Sequence, residues 1–434
     1  MFFLNKGVIL RQEKFGGLIY NMYTNRYFEL NKEGYSILIN LIENQNYNLN
    51  SDFTYDLIKN KILTENSING KGNIIKNQTN NDKSYTISPV EAFLYITNNC
   101  NQKCSFCYMR HVHDNTSLDF EAWKSIVDKL TESGVCTIGY MGGEPFASKN
   151  LLFCLLDYLN GKVHQVITTN GTYQGGITPN MAKKLNKYSS LEIGISIHSH
   201  IEEYHDKVVC TNGSYNIAVK TVKNLLESGK KDVFIKHVVT INNYENLYEF
   251  VCWAKELGVS GVQIFEYLPS LDESFYSYSK KFPKKELYLE ALEKTFHLRS
   301  NEFFIIADER YSSVVNKTTL DGFTDLQKKM KICPAGLIKL NVLSDGSCYS
   351  CDLTNNRKEY CLGNLLVDSL QNIWNNDKLD IFRNNSKEIS NNSACKVCKY
   401  DCNGGCPILS KAFTGAYYNG DYSCPVLRDN IICN

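Results

Sequence analysis

The sequence predicts an α/β protein, and three features carry that prediction. From residue 90 onward, six short β-rich runs alternate with amphipathic segments of helical period. A compact strand-and-helix pattern fills residues 1–70. After residue 330 the alternation stops and cysteines crowd the chain.

In the first region, "GVILRQ", "GGLIYNM" and "NRYFEL" read as three strands, with turn signals at Gly16-Gly17 and Asn25. Tyr35, Leu38, Ile39 and Ile42 fall on one face of a helix, and "FTYDLIKNKI" reads as a second. Together they predict a winged-helix-like module over residues 1–70. Residues 71–86, polar and Asn-rich, read as a linker.

The six runs are "AFLYITN", "VCTIGYMG", "HQVITTN", "LEIGISIH", "VFIKHVVT" and "GVQIFEYL". They are apolar on both faces, as buried parallel strands are. Segments such as "DFEAWKSIVDKLTESG" supply the crossover helices. Six βα units imply a parallel sheet with right-handed crossovers. A partial (β/α)6 TIM-like barrel over residues 87–310 is the architecture expected. A doubly wound sheet has the same periodicity. Residues 311–434 are expected to form a small domain held by metal rather than by a large core.

Composition narrows the function. The chain has 434 residues, is 43% hydrophobic and carries a formal charge of +1. That balance gives no electrostatic reason to expect nucleic acid or a membrane surface as partner. Lys6 and Arg11 interrupt the N-terminus before a signal-peptide core could form. No apolar run approaches the roughly 20 residues of a membrane span. A cytoplasmic location is expected. Ten of the 17 cysteines lie from Cys333 onward, several in C-x2-C pairs, which favours metal ligation over disulfides. Cys136, Cys154, Cys210 and Cys252 stand alone among apolar neighbours and read as ordinary buried thiols.

The stretch "CNQKCSFCY" follows the first βα strand, where parallel α/β folds gather their active sites. Its three cysteines, Cys100, Cys104 and Cys107, are one short of a structural zinc site. Three thiolates suit a 4Fe–4S cluster with one iron open to a ligand. This C-x3-C-x2-C spacing, with Phe106 before the last cysteine, resembles the radical S-adenosylmethionine (SAM) family. The resemblance implies that the open iron binds SAM. One-electron reduction of the sulfonium would then give a 5′-deoxyadenosyl radical that takes hydrogen from substrate.

The same resemblance assigns SAM contacts in order along the barrel. Tyr108 follows the cluster cysteines. Gly142, Gly143 and Glu144 of "GGEP" follow the second strand, where relatives hold the SAM amino group. Thr169 and Asn170 follow the third strand, and Ser196 and His198 the fourth. Relatives often place an acid where His198 stands and an arginine soon after a His-Asp pair. Here Lys207 and Val209 follow His205-Asp206.

The tail resembles the SPASM extension of such enzymes. Cys333, Gly346 and Cys351 match its first block. Cys395, Cys398, Cys402 and Cys406 match the second, two residues short, and Cys424 closes the pattern. The resemblance implies two auxiliary 4Fe–4S clusters, the first on Cys333, Cys351 and Cys406 with Cys348 as a candidate fourth ligand. The second would rest on Cys395, Cys398, Cys402 and Cys424. One or two zinc sites are the alternative that spacing leaves open. Asp352 matches the place of a base in sulfatase-maturing relatives.

The first reading of function is a maturase that crosslinks a ribosomally made, cysteine-rich precursor peptide through thioethers. The N-terminal module would hold the peptide's leader by strand addition. An external reductant of flavodoxin or ferredoxin type would supply the electron. The alternatives are a formylglycine-forming sulfatase maturase and a non-enzymatic iron–sulfur regulator that reads DNA. Three clusters predict about 12 irons per chain in an anaerobic preparation. Near four irons with bound zinc would contradict the auxiliary clusters.

Overall fold

The computed structural model describes residues 2–43, 52–66, 68–70, 72–76, 86–109, 117–307, 333–384, 388 and 405–420. Strand β1 (Phe3–Leu4) leads into a meander of β2 (Val8–Glu13), β3 (Gly16–Asn21) and β4 (Arg26–Asn31). Helices α1 (Lys32–Glu43) and α2 (Asp52–Lys59) follow, then β5 (Leu63–Thr64), which pairs with β1. The three strands and two helices fall where the sequence places them. The first turn does not. Gly16 and Gly17 lie inside β3, paired with Asn31 and Leu30, and the turn falls on Lys14-Phe15. The reason is space, because a Cβ on Gly17 would sit 2.5 Å from the Tyr35 ring of α1.

The expected linker also contributes structure. Asn73–Ile75 forms β6, which lies parallel to β2 and covers that edge of the small sheet. The sheet order is β4-β3-β2-β6, so β4 is the other edge. Strand alternation gives this sheet two apolar faces. Val8, Leu10 and Ile19 meet Leu38, Leu41 and Leu57 of the helices. Ile9, Leu18 and Tyr20 meet Val90, Cys136 and Ile338 of the main body.

The main body begins with β7 (Glu91–Tyr95), α3 (Phe120–Glu132) and β8 (Thr137–Met141). It continues through α4 (Lys149–Leu159), β9 (His164–Thr169), α5 (Pro179–Leu185) and β10 (Leu191–Ser196). Next come α6 (Glu202–Val209), α7 (Ser214–Glu227), β11 (Val233–Val239), α8 (Leu247–Leu257) and β12 (Gly261–Glu266). Strands β7 to β12 are all parallel and lie side by side in sequence order. A doubly wound sheet reverses direction at a switch point. Uninterrupted order with one crossover hand keeps the helices on one face and curls the sheet into a partial barrel. Ile138, Ile167, Ile193, Ile195 and Ile235 face Trp123, Leu155, Val222 and Phe250 of the helix layer. The alternate residues, among them Phe93, Tyr95, Thr168, Ser196, Phe234 and Lys236, line the concave side.

The sheet extends beyond six strands. Strand β13 (Phe304–Ala307) adds to β12 at one end. At the other end β14 (Lys339–Val342), from the cysteine-rich tail, runs parallel to β7. The antiparallel β15 (Ser347–Tyr349) and β16 (Gly363–Asn364) follow it. The tail is thus grafted onto the barrel sheet. Buried Trp374 secures it by donating its indole N–H to Thr86 O at 3.0 Å. Of the four lone cysteines expected to be buried, only Cys136 is, and Cys252 is half-buried. Cys154 lies exposed on α4, and Cys210 is the exposed left-handed cap of α6.

Fully buried Arg11 bolts the N-terminal module to the barrel. Its guanidinium pairs with Glu13 at 2.7 Å and donates to Ser88 O, Pro89 O and Gly134 O. Burial raises the Glu13 carboxyl despite the neighbouring charge. Arg11→Met leaves that acid unpaired and is expected to lower stability by about 3 kcal/mol. Urea unfolding measures this, and a change under 1 kcal/mol would contradict it.

Candidate functional site

Cys100, Cys104 and Cys107 lie on the loop that leaves the C-terminal end of β7. They share one electrostatic neighbourhood. Burial raises the Cys104 thiol first, and Cys107 and Cys100 raise it further. Cys100 is raised by loss of water and then by Glu144 and Cys107. Thiols that repel one another's ionised forms call for a cationic partner.

The loop is held from several sides. Ser105 N–H donates to Val208 O at 2.8 Å, and Lys103 N–H to Val209 O at 3.3 Å. Gln102 reaches Ser214 Oγ at 2.7 Å and accepts from Cys104 Sγ at 3.5 Å. Asn170 donates to Asn101 Oδ1 at 2.9 Å and toward Cys100 Sγ at 3.7 Å.

The "GGEP" loop lies directly against this one. Gly143 N–H donates to Thr97 O at 2.7 Å and Glu144 N–H to Asn99 O at 2.8 Å. Gly142 has φ +131°, and a Cβ there would stand 2.1 Å from Thr97 O. Only glycine fits that approach. The Glu144 side chain has no exposure. One oxygen accepts from Phe146 N–H at 3.0 Å and Thr169 Oγ1 at 2.6 Å, and the other from Asn170 N–H at 2.8 Å. Burial outweighs these bonds and pushes its pKa up to about 7. Glu144 thus ties the β8 and β9 loops together, and Thr169 spends its hydroxyl on it. Asn170 carries the tie onward to Cys100.

The sequence placed His198 beside SAM, and the geometry gives it structural work. His198 Nδ1 accepts from Val238 N–H at 3.2 Å, and its ring meets Phe106 edge-on at 4.6 Å. His205 Nδ1 accepts from His198 N–H at 3.1 Å. That leaves the His205 proton on Nε2, which faces Ser214 Oγ at 3.3 Å. Burial lowers all three histidines here, His205 to about 4 and His237 to about 3. The neutral rings form a shelf under the loop that carries Cys100, Cys104 and Cys107.

Asp352 sits under the same mouth. Its carboxylate pairs with Lys339 at 2.8 Å and accepts from Tyr95 and Asn341, each at 2.8 Å. Lys339 and these bonds overcome burial and hold its pKa below the ordinary value. Tyr95 also meets the Tyr108 hydroxyl at 3.2 Å. A polar chain therefore runs from Tyr108, beside Cys107, to Asp352, beside Cys351.

In the tail, burial and then Cys406, Asp352 and Cys333 raise the Cys351 thiol, so these three cysteines are neighbours. Cys348 is fully buried, and Cys361 is the nearest thiol acting on it. Cys395, Cys398, Cys402 and Cys424 lie outside the described residues. Two all-sulfur sets of three among the described residues fit iron–sulfur clusters by donor chemistry. No three His, Cys, Asp or Glu side chains among the described residues are arranged to hold a single metal ion.

Comparison with known proteins agrees with this geometry. Residues 94–254 match the model of the radical SAM superfamily, and residues 333–403 match the SPASM iron–sulfur cluster-binding domain. The chain carries a radical SAM domain followed by a SPASM domain. It is a radical SAM enzyme, and SAM and iron–sulfur clusters are its cofactors. The chain is 28% identical over 344 residues to the mycofactocin maturase MftC of Mycolicibacterium smegmatis, covering 75% of this chain and 79% of that one. It is 23% identical over 408 residues to the subtilosin biosynthesis protein AlbA of Bacillus subtilis, covering 86% and 84%. The fold matches Streptococcus suis SuiB bound to S-adenosylmethionine with a TM-score of 0.72 at 19% identity, over 98% of this chain and 100% of that one. SuiB bound to its precursor peptide SuiA matches equally, with a TM-score of 0.72.

Sequence reasoning missed Gln102, Ser214, Tyr95, Lys339 and Lys236. Lone lysines inside the apolar runs "GLIKLNVL" and "VFIKHVVT" were the available signal.

The histidine shelf makes a pH prediction. Unfolded histidines take up protons below about pH 6.5, whereas the buried ones resist until about pH 4. Stability is therefore full above pH 6.5 and falls between pH 6.5 and 4. Each such histidine contributes up to about 1.4 kcal/mol per pH unit. His237→Phe should flatten the fall in urea midpoints between pH 7.5 and 5.5. An unchanged slope would contradict the account.

Proposed function

We propose that the chain matures a ribosomally made, cysteine-rich precursor peptide by forming thioether crosslinks. The observation that carries this reading is the polar chain that links two groups of three thiols. Tyr108, next to Cys107 of the first group, meets Tyr95, and Tyr95 donates to Asp352, next to Cys351, which neighbours Cys333 and Cys406. When bound, SAM on the first cluster supplies the radical that takes hydrogen. A cluster held by the second set would offer an iron to a substrate thiolate. Each crosslink removes two hydrogens from the peptide, one as an atom and one as a thiol proton, with an electron passed to an iron–sulfur acceptor.

The residues divide this work. Gly142, Gly143, Thr169, Asn170, Ser196 and Tyr108 border the SAM site, and Glu144 keeps its loops in register. Cys395, Cys398, Cys402 and Cys424 supply the third cluster. A flavodoxin- or ferredoxin-type protein delivers the reducing electron. Residues 1–70 act as a winged-helix-like leader-recognition module ahead of the barrel (87–310) and the auxiliary-cluster domain (311–434). With β6 covering one edge of the small sheet, β4 is the edge left for strand addition. Nucleic acid is not a partner, since residues 1–70 lack a dense basic face. The enzyme works in the cytoplasm, and no helix among the described residues is long and apolar enough to cross a membrane.

The names of the relatives support a peptide substrate. MftC is a maturase, AlbA serves bacteriocin biosynthesis, and SuiB binds a precursor peptide. Formylglycine formation is disfavoured by Asp352. That carboxylate is occupied by Lys339, Tyr95 and Asn341, which hold its pKa below the ordinary value and make it a weak base.

Mass spectrometry of a co-expressed cysteine-rich peptide tests the proposal. Loss of two hydrogens per crosslink, with alkylation-resistant cysteines, is the expected result. Formylglycine, or an unmodified peptide with a shifted DNA probe, would overturn it.

A further inference from the structure

Lys236 projects from β11 toward the concave side of the barrel. It lies in register with Ser196 on the neighbouring strand. Its stem crosses Gly194, where an added Cβ would come within 3.1 Å of Lys236 Cδ. The ammonium donates to Thr168 Oγ1 at 3.1 Å and stands 4.9 Å from the centre of the Phe265 ring. Among the described residues no carboxylate lies within ion-pair distance of it. Asp352, the acid nearest in effect, is already paired with Lys339.

A half-buried cation without an anion is costly. Burial, and then repulsion from Lys339, lower its pKa to about 8. An arriving anion would relieve that cost. The ammonium lies among the residues that border the SAM site. Thr168 precedes Thr169 and Asn170, and Ser196 is its strand neighbour. Helix α6 sends no cation there, since Lys207 is exposed and Val209 is buried. The acid of that helix, Asp206, is spent on the backbone N–H groups of Gly213 and Tyr215.

We infer that Lys236 is the residue that receives the carboxylate of SAM, reaching it across the side-chain gap at Gly194. This rests on the radical SAM reading of the site. The role falls to a strand residue because the helix that follows β10 offers no positive charge. Gly194 leaves the space that the Phe234 ring and the lysine stem share. The Phe265 ring adds a cation–π contact to one side of the ammonium.

Equilibrium binding to the reconstituted, unreduced enzyme tests the inference, with SAM and decarboxylated SAM as probes. The wild type should prefer SAM by about 10- to 100-fold, the range for a charge-assisted hydrogen bond. Lys236→Met should lose that preference and bind both probes alike, and Lys236→Arg should restore most of it. Independently, SAM should shield Lys236 of the wild type from reductive methylation by formaldehyde, read by mass spectrometry, while decarboxylated SAM should not. If Lys236→Met loses iron, the methylation result on wild type decides. Lys236→Met with full iron content and wild-type SAM affinity would overturn the inference, as would equal methylation with both probes. A wild type that binds no SAM at all would instead refute the radical SAM reading.

Discussion

The Glu144 carboxylate has no contact with solvent, yet it accepts three hydrogen bonds, one from its own loop and two from the loop after β9. It joins the loop after β8 to the loop after β9, and Asn170 extends the join to Cys100. The glycines before it let the β8 loop lie on the backbone of the β7 loop. Three loops at the barrel mouth are therefore locked to one another through a single buried acid. The cluster with one open iron proposed for Cys100, Cys104 and Cys107 would need such a frame, because those thiols sit on a short loop with little regular structure of its own. The frame is built from hydrogen bonds on rigid strand ends, which hold position better than a mobile loop could.

The histidines belong to the same logic. His198, His205 and His237 are buried and neutral, and they support the cluster loop through Phe106, Ser214 and Gln102. On the far side of the mouth, Asp352 and Lys339 form a charge-neutral pair that fixes Tyr95 and, through it, Tyr108. The concave side is left with one ammonium, Lys236, that no acid among the described residues balances. Each charged group near the mouth thus either braces a loop or awaits an anion.

Much of the fold was legible because periodicity reports it directly. The six parallel strands and the helices of both regions follow from apolar spacing, and sequential strand order then favours a barrel. Strands β6 and β14 were not legible. Asn73–Ile75 is short and sits in a polar stretch, and Lys339–Val342 looks like part of a cysteine-rich tail. Both strands exist because long-range pairing, with β2 and β7, supplies what local propensity does not. The closeness of Cys100, Cys104 and Cys107 was readable from spacing alone. The structural work of His198 was not readable, because a histidine at a strand end looks the same in sequence whether it faces a ligand or accepts a backbone N–H. Lys339 was missed because its partner Asp352 lies on a different element.

The central claim is that Cys100, Cys104 and Cys107 form the open set and generate the radical, while the tail clusters do not. Electron paramagnetic resonance of the reduced enzyme with and without SAM, set beside a Cys100→Ala/Cys104→Ala/Cys107→Ala variant, tests it most directly. The wild type should show one cluster signal that SAM perturbs and should release 5′-deoxyadenosine. The variant should keep the auxiliary signals, lose the SAM-sensitive one and make no 5′-deoxyadenosine. SAM cleavage that survives in the variant would contradict the account.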